Sequence, residues 1–215
     1  MNEFWAGVLS SVAASCMLAV LGWTLSPTAR RRAKRVILKG ANAGVLDTFK
    51  SQREAGGEIA KHLAGAREIR VLAGRGNELQ RETFQALWDG GDRRDVKILL
   101  PDPERSGPGS WIDDHQQEAI AYDGGQGDRM IAESIRNNVE YVKNRVGRLD
   151  PAQVALYDFP AIGRIVLTED LAFITPYSDR RHGADSPCVM VASGHALYDF
   201  ADRIFVKFQQ ASRQI

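Results

Sequence analysis

Cysteine is scarce in this chain of 215 residues: Cys16 and Cys188 stand far apart and match no zinc-ligand spacing. That excludes a disulfide-stapled secreted scaffold and a zinc ribbon. An excess of one charge is also lacking, because 28 Lys and Arg against 27 Asp and Glu leave a net charge of +1. No overall field is available to hold a polyanion, which argues against a nucleic-acid partner except through a local patch. GxSxG, HExxH, Walker and CxxC motifs are all absent, so the common hydrolase, metalloprotease, nucleotide-triphosphate and dithiol chemistries have no foothold. What is present is a foldable composition, 44% hydrophobic and 26% charged, which excludes wholesale disorder.

From Phe4 to Leu25 the chain runs FWAGVLSSVAASCMLAVLGWTL without one charged residue. As a helix it is roughly 33 Å long, enough to cross a bilayer core. Trp5 and Trp23 stand near its ends, where amphipathic rings favour the headgroup layer. A cleaved signal peptide would carry basic residues before the apolar run, whereas only Met1, Asn2 and Glu3 precede it. Residues 1–27 are therefore expected to be a transmembrane anchor. Arg30, Arg31, Arg32, Lys34 and Arg35 follow the span directly. They place the N-terminus outside and the rest of the chain in the cytoplasm, single-pass in a cell inner membrane, with the basic cluster lying on anionic headgroups. Gly7, Ser11, Ser15 and Ala19 recur every four residues, a stripe of small side chains that suggests a homo-oligomer formed in the membrane.

Residues 28–66 read as a helical juxtamembrane stalk, with Val36, Ile37, Val45, Leu46, Phe49, Ile59 and Leu63 apolar among charges, and Gly40, Gly44, Gly56 and Gly57 breaking it into pieces. From Glu68 the period changes. EIRVLAG (68–74) and DVKILLP (95–101) read as strands around ELQRETFQALWDGG (78–91), which has helical spacing. Such a β-α-β unit implies a parallel pair. A short helix is expected near 111–121 and a long amphipathic one over 128–148. Strands follow at QVALYDF (153–159), GRIVLT (163–168), LAFITPY (171–177) and PCVMVA (187–192), and a helix over 195–210 closes the chain.

This order, with RIVLTEDLAFITPYSDRRHG and SPCVMVASGHALYDFADRIFVKF, resembles one repeat of the phospholipase D-like superfamily over about residues 67–211. The resemblance implies an α/β fold for 67–215, a mixed sheet flanked by helices. It also implies a strand carrying His-x-Lys and ending in an acidic residue. With Glu169 as that acid, the lysine position falls on Arg164 and the nucleophilic histidine on Ile162; with Asp170, they fall on Ile165 and Gly163. Neither register supplies a histidine, so the covalent phosphohistidine route is not open in its usual form. The chain resembles a catalytically degenerate member whose pocket takes a nucleotide or other phosphorylated ligand.

Two constellations suit such a ligand. In AGRGNEL (73–79), Gly74 and Gly76 allow a tight turn that presents backbone amides, Arg75 and Asn77 to an anion, although Leu79 stands where a dinucleotide fingerprint has its third glycine. In YSDRRHG (177–183), Arg180, Arg181 and His182 offer forked and titratable donors beside Arg164. Asp102, Glu104, Asp113 and Asp114 form an acidic stretch to which no metal is assigned, and no cofactor is expected. His195 reads as a capping or packing residue. Two functions follow: a membrane-anchored sensor or effector, of the kind found in prokaryotic signalling and antiviral defence, in which binding of a phosphorylated ligand or a partner controls membrane-helix association; or a membrane-anchored phosphodiesterase, acting on phospholipid or nucleic acid, with His182 as an unconventional nucleophile.

Overall fold

The computed structural model describes residues 44–89, 94–122, 130–146, 152–177 and 183–215. The expected span, the basic cluster after it and the Arg180–His182 loop lie outside the described residues. Among the described residues no helix is long and apolar enough to cross a membrane.

Eight strands form one mixed sheet: β1 (Val45–Phe49), β2 (Glu68–Leu72), β3 (Asp95–Pro101), β4 (Ala152–Tyr157), β5 (Gly163–Thr168), β6 (Leu171–Pro176), β7 (Cys188–Ala192) and β8 (Arg213–Gln214), in the order β1-β7-β6-β5-β2-β3-β4-β8. The strands β2, β3 and β4 are parallel, and every other neighbouring pair is antiparallel. The helices are α1 (Gln52–Gly65), α2 (Gln85–Trp88), α3 (Trp111–Tyr122), α4 (Met130–Val146) and α5 (Ala196–Gln210).

Runs such as GRIVLT and KILLP are apolar at successive positions because both faces of the sheet are covered. Register aligns Val154, Ile98, Val71, Val166, Phe173 and Met190 in a row across six strands. That row packs in one core with Ile59 and Leu63 of α1 and Ile135, Val139 and Val142 of α4. One residue further along, Leu72, Leu99, Ala155 and Ile165 face the opposite way, where α5 buries Tyr198, Ala201 and Phe205 against them. The Tyr198 hydroxyl donates to the Thr168 carbonyl at 2.7 Å, and Arg70 pairs with Asp202, fixing α5 on the sheet.

The helical stalk expected over 28–66 is corrected from Gly44 on; residues 28–43 lie outside the described residues. Val45–Phe49 is a strand paired antiparallel with β7, and Gln52–Gly65 is one helix packed into the core, unbroken by Gly56 and Gly57. Val45, Asp47 and Phe49 are all buried, but the register shifts between Val45 and Asp47, so Val45 packs in the core under α5 and Phe49 in the core under α1. The buried carboxylate of Asp47 breaks the apolar alternation, and without it Val45, Leu46 and Phe49 mimic helical spacing. Ser51 starts α1 as its N-cap, its hydroxyl accepting from the Glu54 amide at 3.2 Å.

The helix expected over 78–91 is also corrected. Two short 3-10 turns, Asn77–Gln80 and Glu82–Phe84, precede the four-residue α2. Arg81 between the turns is extended, with ψ 161°. Leu79, Phe84 and Leu87 are nonetheless buried, and the Trp88 indole donates to the Leu79 carbonyl at 3.0 Å, so apolar spacing survives without a helix to carry it.

Candidate functional site

Where β2 and β4 end, β5 begins and β6 ends, the sheet edge opens into a cavity of about 660 Å³. The turn after β2 contributes Gly74, Arg75, Asn77 and Glu78; β5 contributes Arg164, and α3 contributes Trp111, His115 and Glu118. Phe84, Ile131 and Ile135 form an apolar wall. This is the size of a small-molecule site, with one apolar wall and an otherwise polar lining that includes Arg53, Arg81 and Asp114.

Arg164 is only 4% exposed. Its Nη2 lies 2.5 Å from Glu78 Oε1 as a close pair of opposite charges without the alignment of a hydrogen bond, and donates to the Tyr177 hydroxyl at 3.3 Å. Arg164 Nε and Nη1 are buried and have no hydrogen-bond partner among the described residues, and the same is true of Trp111 Nε1. Buried polar groups are nearly always satisfied, so three unpartnered donors beside one cavity call for acceptors. Burial pushes the Tyr177 hydroxyl above the ordinary tyrosine range against the opposing pull of Arg164, so it stays protonated.

Arg75 approaches His115 rather than a carboxylate, with Nη2 3.0 Å from the imidazole Nε2. Burial, and then the nearby guanidinium, pull the His115 pKa below its ordinary value, with Glu118 opposing. The ring is therefore neutral at pH 7, Nε2 accepts from Arg75, and the Nδ1 proton faces Glu118 Oε2 at 3.6 Å. Arg75 itself is held below the ordinary arginine value by burial, opposed by the fields of Tyr177 and Glu78. Glu78 lies against Arg164, whereas Arg75 rests on the neutral ring of His115.

Of the residues expected from the sequence, Arg75, Asn77 and Arg164 line this single cavity. Gly76 stands behind it with φ 85°, and a Cβ there would lie 2.8 Å from the Leu100 side chain and 3.2 Å from Asn138, so only glycine fits. The Asn77 side chain faces α4, where its oxygen accepts from Ser134 at 2.9 Å and from Asn138. Asn138 also donates to the Arg75 carbonyl at 2.7 Å, tying the turn in place. Arg180, Arg181 and His182 lie outside the described residues, while Tyr177 and Gly183 on either side of them line the cavity. Ile162, at the position where the resemblance implies a histidine, is 59% exposed at the rim.

Glu169, the acidic position in that register, is far from this chemistry. It sits at the opposite end of β5, where its carboxylate accepts from the Arg67 and Glu68 amides at 2.9 and 3.2 Å. In the acidic stretch, Asp102 and Glu104 both engage Arg213, at 3.0 and 3.1 Å, and Asp113 accepts from the Gly109 amide. His195 is the N-cap of α5 and packs on Gly44, where an added Cβ would lie 2.3 Å from the His195 Cβ. The site residues that sequence reasoning missed are Glu78, Trp111, His115, Glu118 and Tyr177. Only the i, i+3 spacing of His115 and Glu118 on a short helix hinted at any of them.

No protein-family model matches the chain, and no protein of curated function matches its sequence. Solved structures do match. TrmBL2, an archaeal chromatin protein described with a novel mode of DNA binding, is 14% identical with a TM-score of 0.46, covering 98% of this chain and 70% of its own. Nuc, a phospholipase D family member from Salmonella typhimurium, is 11% identical with a TM-score of 0.46, and NucT from Helicobacter pylori is 11% identical with a TM-score of 0.40. Each of these two covers 76% of this chain and 92% of its own.

Proposed function

We propose that this chain is a membrane-anchored binding protein for a small phosphorylated ligand, built on a phospholipase D-like sheet that lacks the nucleophilic histidine. The reading rests above all on one observation. Among the described residues, Arg164 is buried at the edge of a 660 Å³ cavity with two N–H-bearing nitrogens unpartnered, and Arg75 lines the same space against a histidine and no carboxylate. Guanidinium groups in a partly desolvated pocket favour the oxygens of a phosphate. The apolar wall of Phe84, Ile131 and Ile135 suits an uncharged remainder of the ligand. In this reading residues 4–25 anchor the chain with the N-terminus outside, and occupancy of the cavity alters the association of the membrane helices.

Titration calorimetry of the full-length chain in detergent, with 5′-AMP and inorganic phosphate as probes, tests the site. Arg164→Ala should weaken binding by about tenfold or more, since a charge-assisted contact is worth about 1.5–3 kcal/mol. Failure of the wild type to bind either probe removes the reading. Hydrolysis of bis(p-nitrophenyl) phosphate that disappears in His182→Ala would replace it with a phosphodiesterase. A reporter active only in the cytoplasm, fused to the C-terminus, tests the topology: a stable but inactive fusion contradicts it.

A further inference from the structure

Resting on that reading, we infer that His115 is a third anion contact in the cavity and takes up one proton from solvent as an oxyanion enters. The geometry sets out the exchange. Arg75 Nη2 donates to His115 Nε2 at 3.0 Å, so this guanidinium is held on a neutral ring. A phosphate in the cavity is a stronger acceptor than an imidazole and draws the guanidinium to itself. His115 Nε2 then loses its donor and faces a negative charge, which favours adding a proton there. The result is His⁺ donating from Nε2 to the anion, with the Nδ1 proton still facing Glu118. The balance is simple: one anion and one solvent proton are bound, and no covalent bond changes.

Among the described residues, Arg75, from the turn after β2, lies 3.0 Å from the ring and Glu118, on the same helix, 3.6 Å from it, while Arg53, Glu78, Arg81, Asp114 and Arg164 line the same cavity. Helix α4, packed against α3, presents the apolar Ile131 and Ile135 to the cavity. Arg75 opposes protonation and Glu118 supports it, so moving Arg75 onto an anion removes the main opposing charge. The desolvation that holds the ring neutral remains and is offset by the anion itself. Glu118 is a positioning residue here, while His115 touches the ligand.

The sign follows from linkage. Binding raises the His115 pKa, so affinity is highest below the free-state value and falls as pH rises from there to the bound-state value, by up to about tenfold per pH unit. The probe must not titrate in this window, which rules out phosphate monoesters with their own pKa near about 6 and favours inorganic sulfate.

Sulfate binding to the full-length chain is measured by calorimetry between about pH 5 and 8, in buffers of differing ionisation enthalpy. The wild type should show proton uptake at neutral pH and weaken as pH rises. His115→Gln, whose amide can still accept from Arg75, should bind sulfate without proton uptake and with a flat profile. Glu118→Gln should keep binding but shift the profile to lower pH. Sulfate binding with no proton uptake, or a wild-type profile matching that of His115→Gln, overturns this inference and leaves the anion site standing. No sulfate or phosphate binding at all overturns both.

Discussion

Gly74 and Tyr177 touch so closely that a Cβ on the glycine would lie 2.7 Å from ring atom Cε2, and on the other edge a Cβ on Gly183 would lie 2.9 Å from Cε1. The ring is held between two glycines, and that placement brings its hydroxyl to Arg164. The guanidinium carbon lies 6.0 Å from the ring centroid, within reach of a cation–π contact. The glycines after β2 and before β7 thus act on the site through a tyrosine and do not need to touch a ligand.

Gly74→Ala should therefore disturb both stability and binding. Tyr177 is rigid, so the added methyl forces the ring or the turn to shift, and overpacking of this kind costs about 1–3 kcal/mol. The expected outcome is a lower urea midpoint with an unchanged slope, together with weaker 5′-AMP binding. Wild-type stability and affinity in this variant would show that the contact relaxes without consequence.

The strands were legible in the sequence wherever both faces of the sheet are covered, because burial on both sides writes continuous apolar runs such as GRIVLT. Strand β1 was not, since Asp47 occupies one of its buried positions. Arg75 and Arg164 could be found because a glycine turn and a hairpin mark their places along the chain. His115 and Glu118 could not, because α3 reaches the sheet edge by tertiary packing, and nothing in the run after β6 marks the Tyr177 ring as a neighbour of Arg164. In the sequence Gly74 marks a turn, whereas the structure uses its lack of a side chain for close approach.

Asn138 is a second point where one side chain holds the turn. It is 3% exposed, accepts from Gln80 at 2.6 Å, and donates to the Arg75 carbonyl and the Asn77 side chain. Asn138→Leu keeps the bulk but leaves those partners unsatisfied, at about 1–3 kcal/mol. Chemical denaturation should register that loss, and amide exchange over 75–80 should quicken. Protection equal to the wild type would mean that Gly76 and Leu79 hold the turn unaided.

Glu169 should matter in acid. Burial is the largest single influence and raises its pKa, but the Arg67, Glu169 and Glu68 amides and the Arg67 charge together outweigh it and leave it below the ordinary glutamate value. A depressed folded-state pKa contributes stability that is present above the unfolded value of about 4.3 and is lost as pH falls through the folded one. Glu169→Gln should be less stable than the wild type at neutral pH, and the gap should narrow on acidification below about pH 4. A gap independent of pH would assign the loss to packing.

Tyr157 supplies the alkaline counterpart. Its ring is fully buried between Trp111, stacked at 6.3 Å, and Phe208, edge-on at 5.3 Å, and its hydroxyl donates to the Ala73 carbonyl at 2.8 Å. Burial, reinforced by the fields of Tyr177 and Glu78 and opposed by Arg164, raises its pKa well above the ordinary tyrosine value. In the unfolded chain the same hydroxyl ionises near about 10. Unfolding therefore releases a proton above that pH, so the stabilising contribution is complete below about 10 and falls by about 1.4 kcal/mol per pH unit above it. Tyr177 and Tyr198 are shifted in the same direction and add to the slope. Tyr157→Phe should cost about 1 kcal/mol at pH 7 through the lost hydrogen bond, yet its stability should decline less steeply in alkali. Urea unfolding at intervals from pH 8 to 11 checks this, and parallel declines for the two proteins would show that Tyr157 ionises as readily in the folded chain as in the unfolded one.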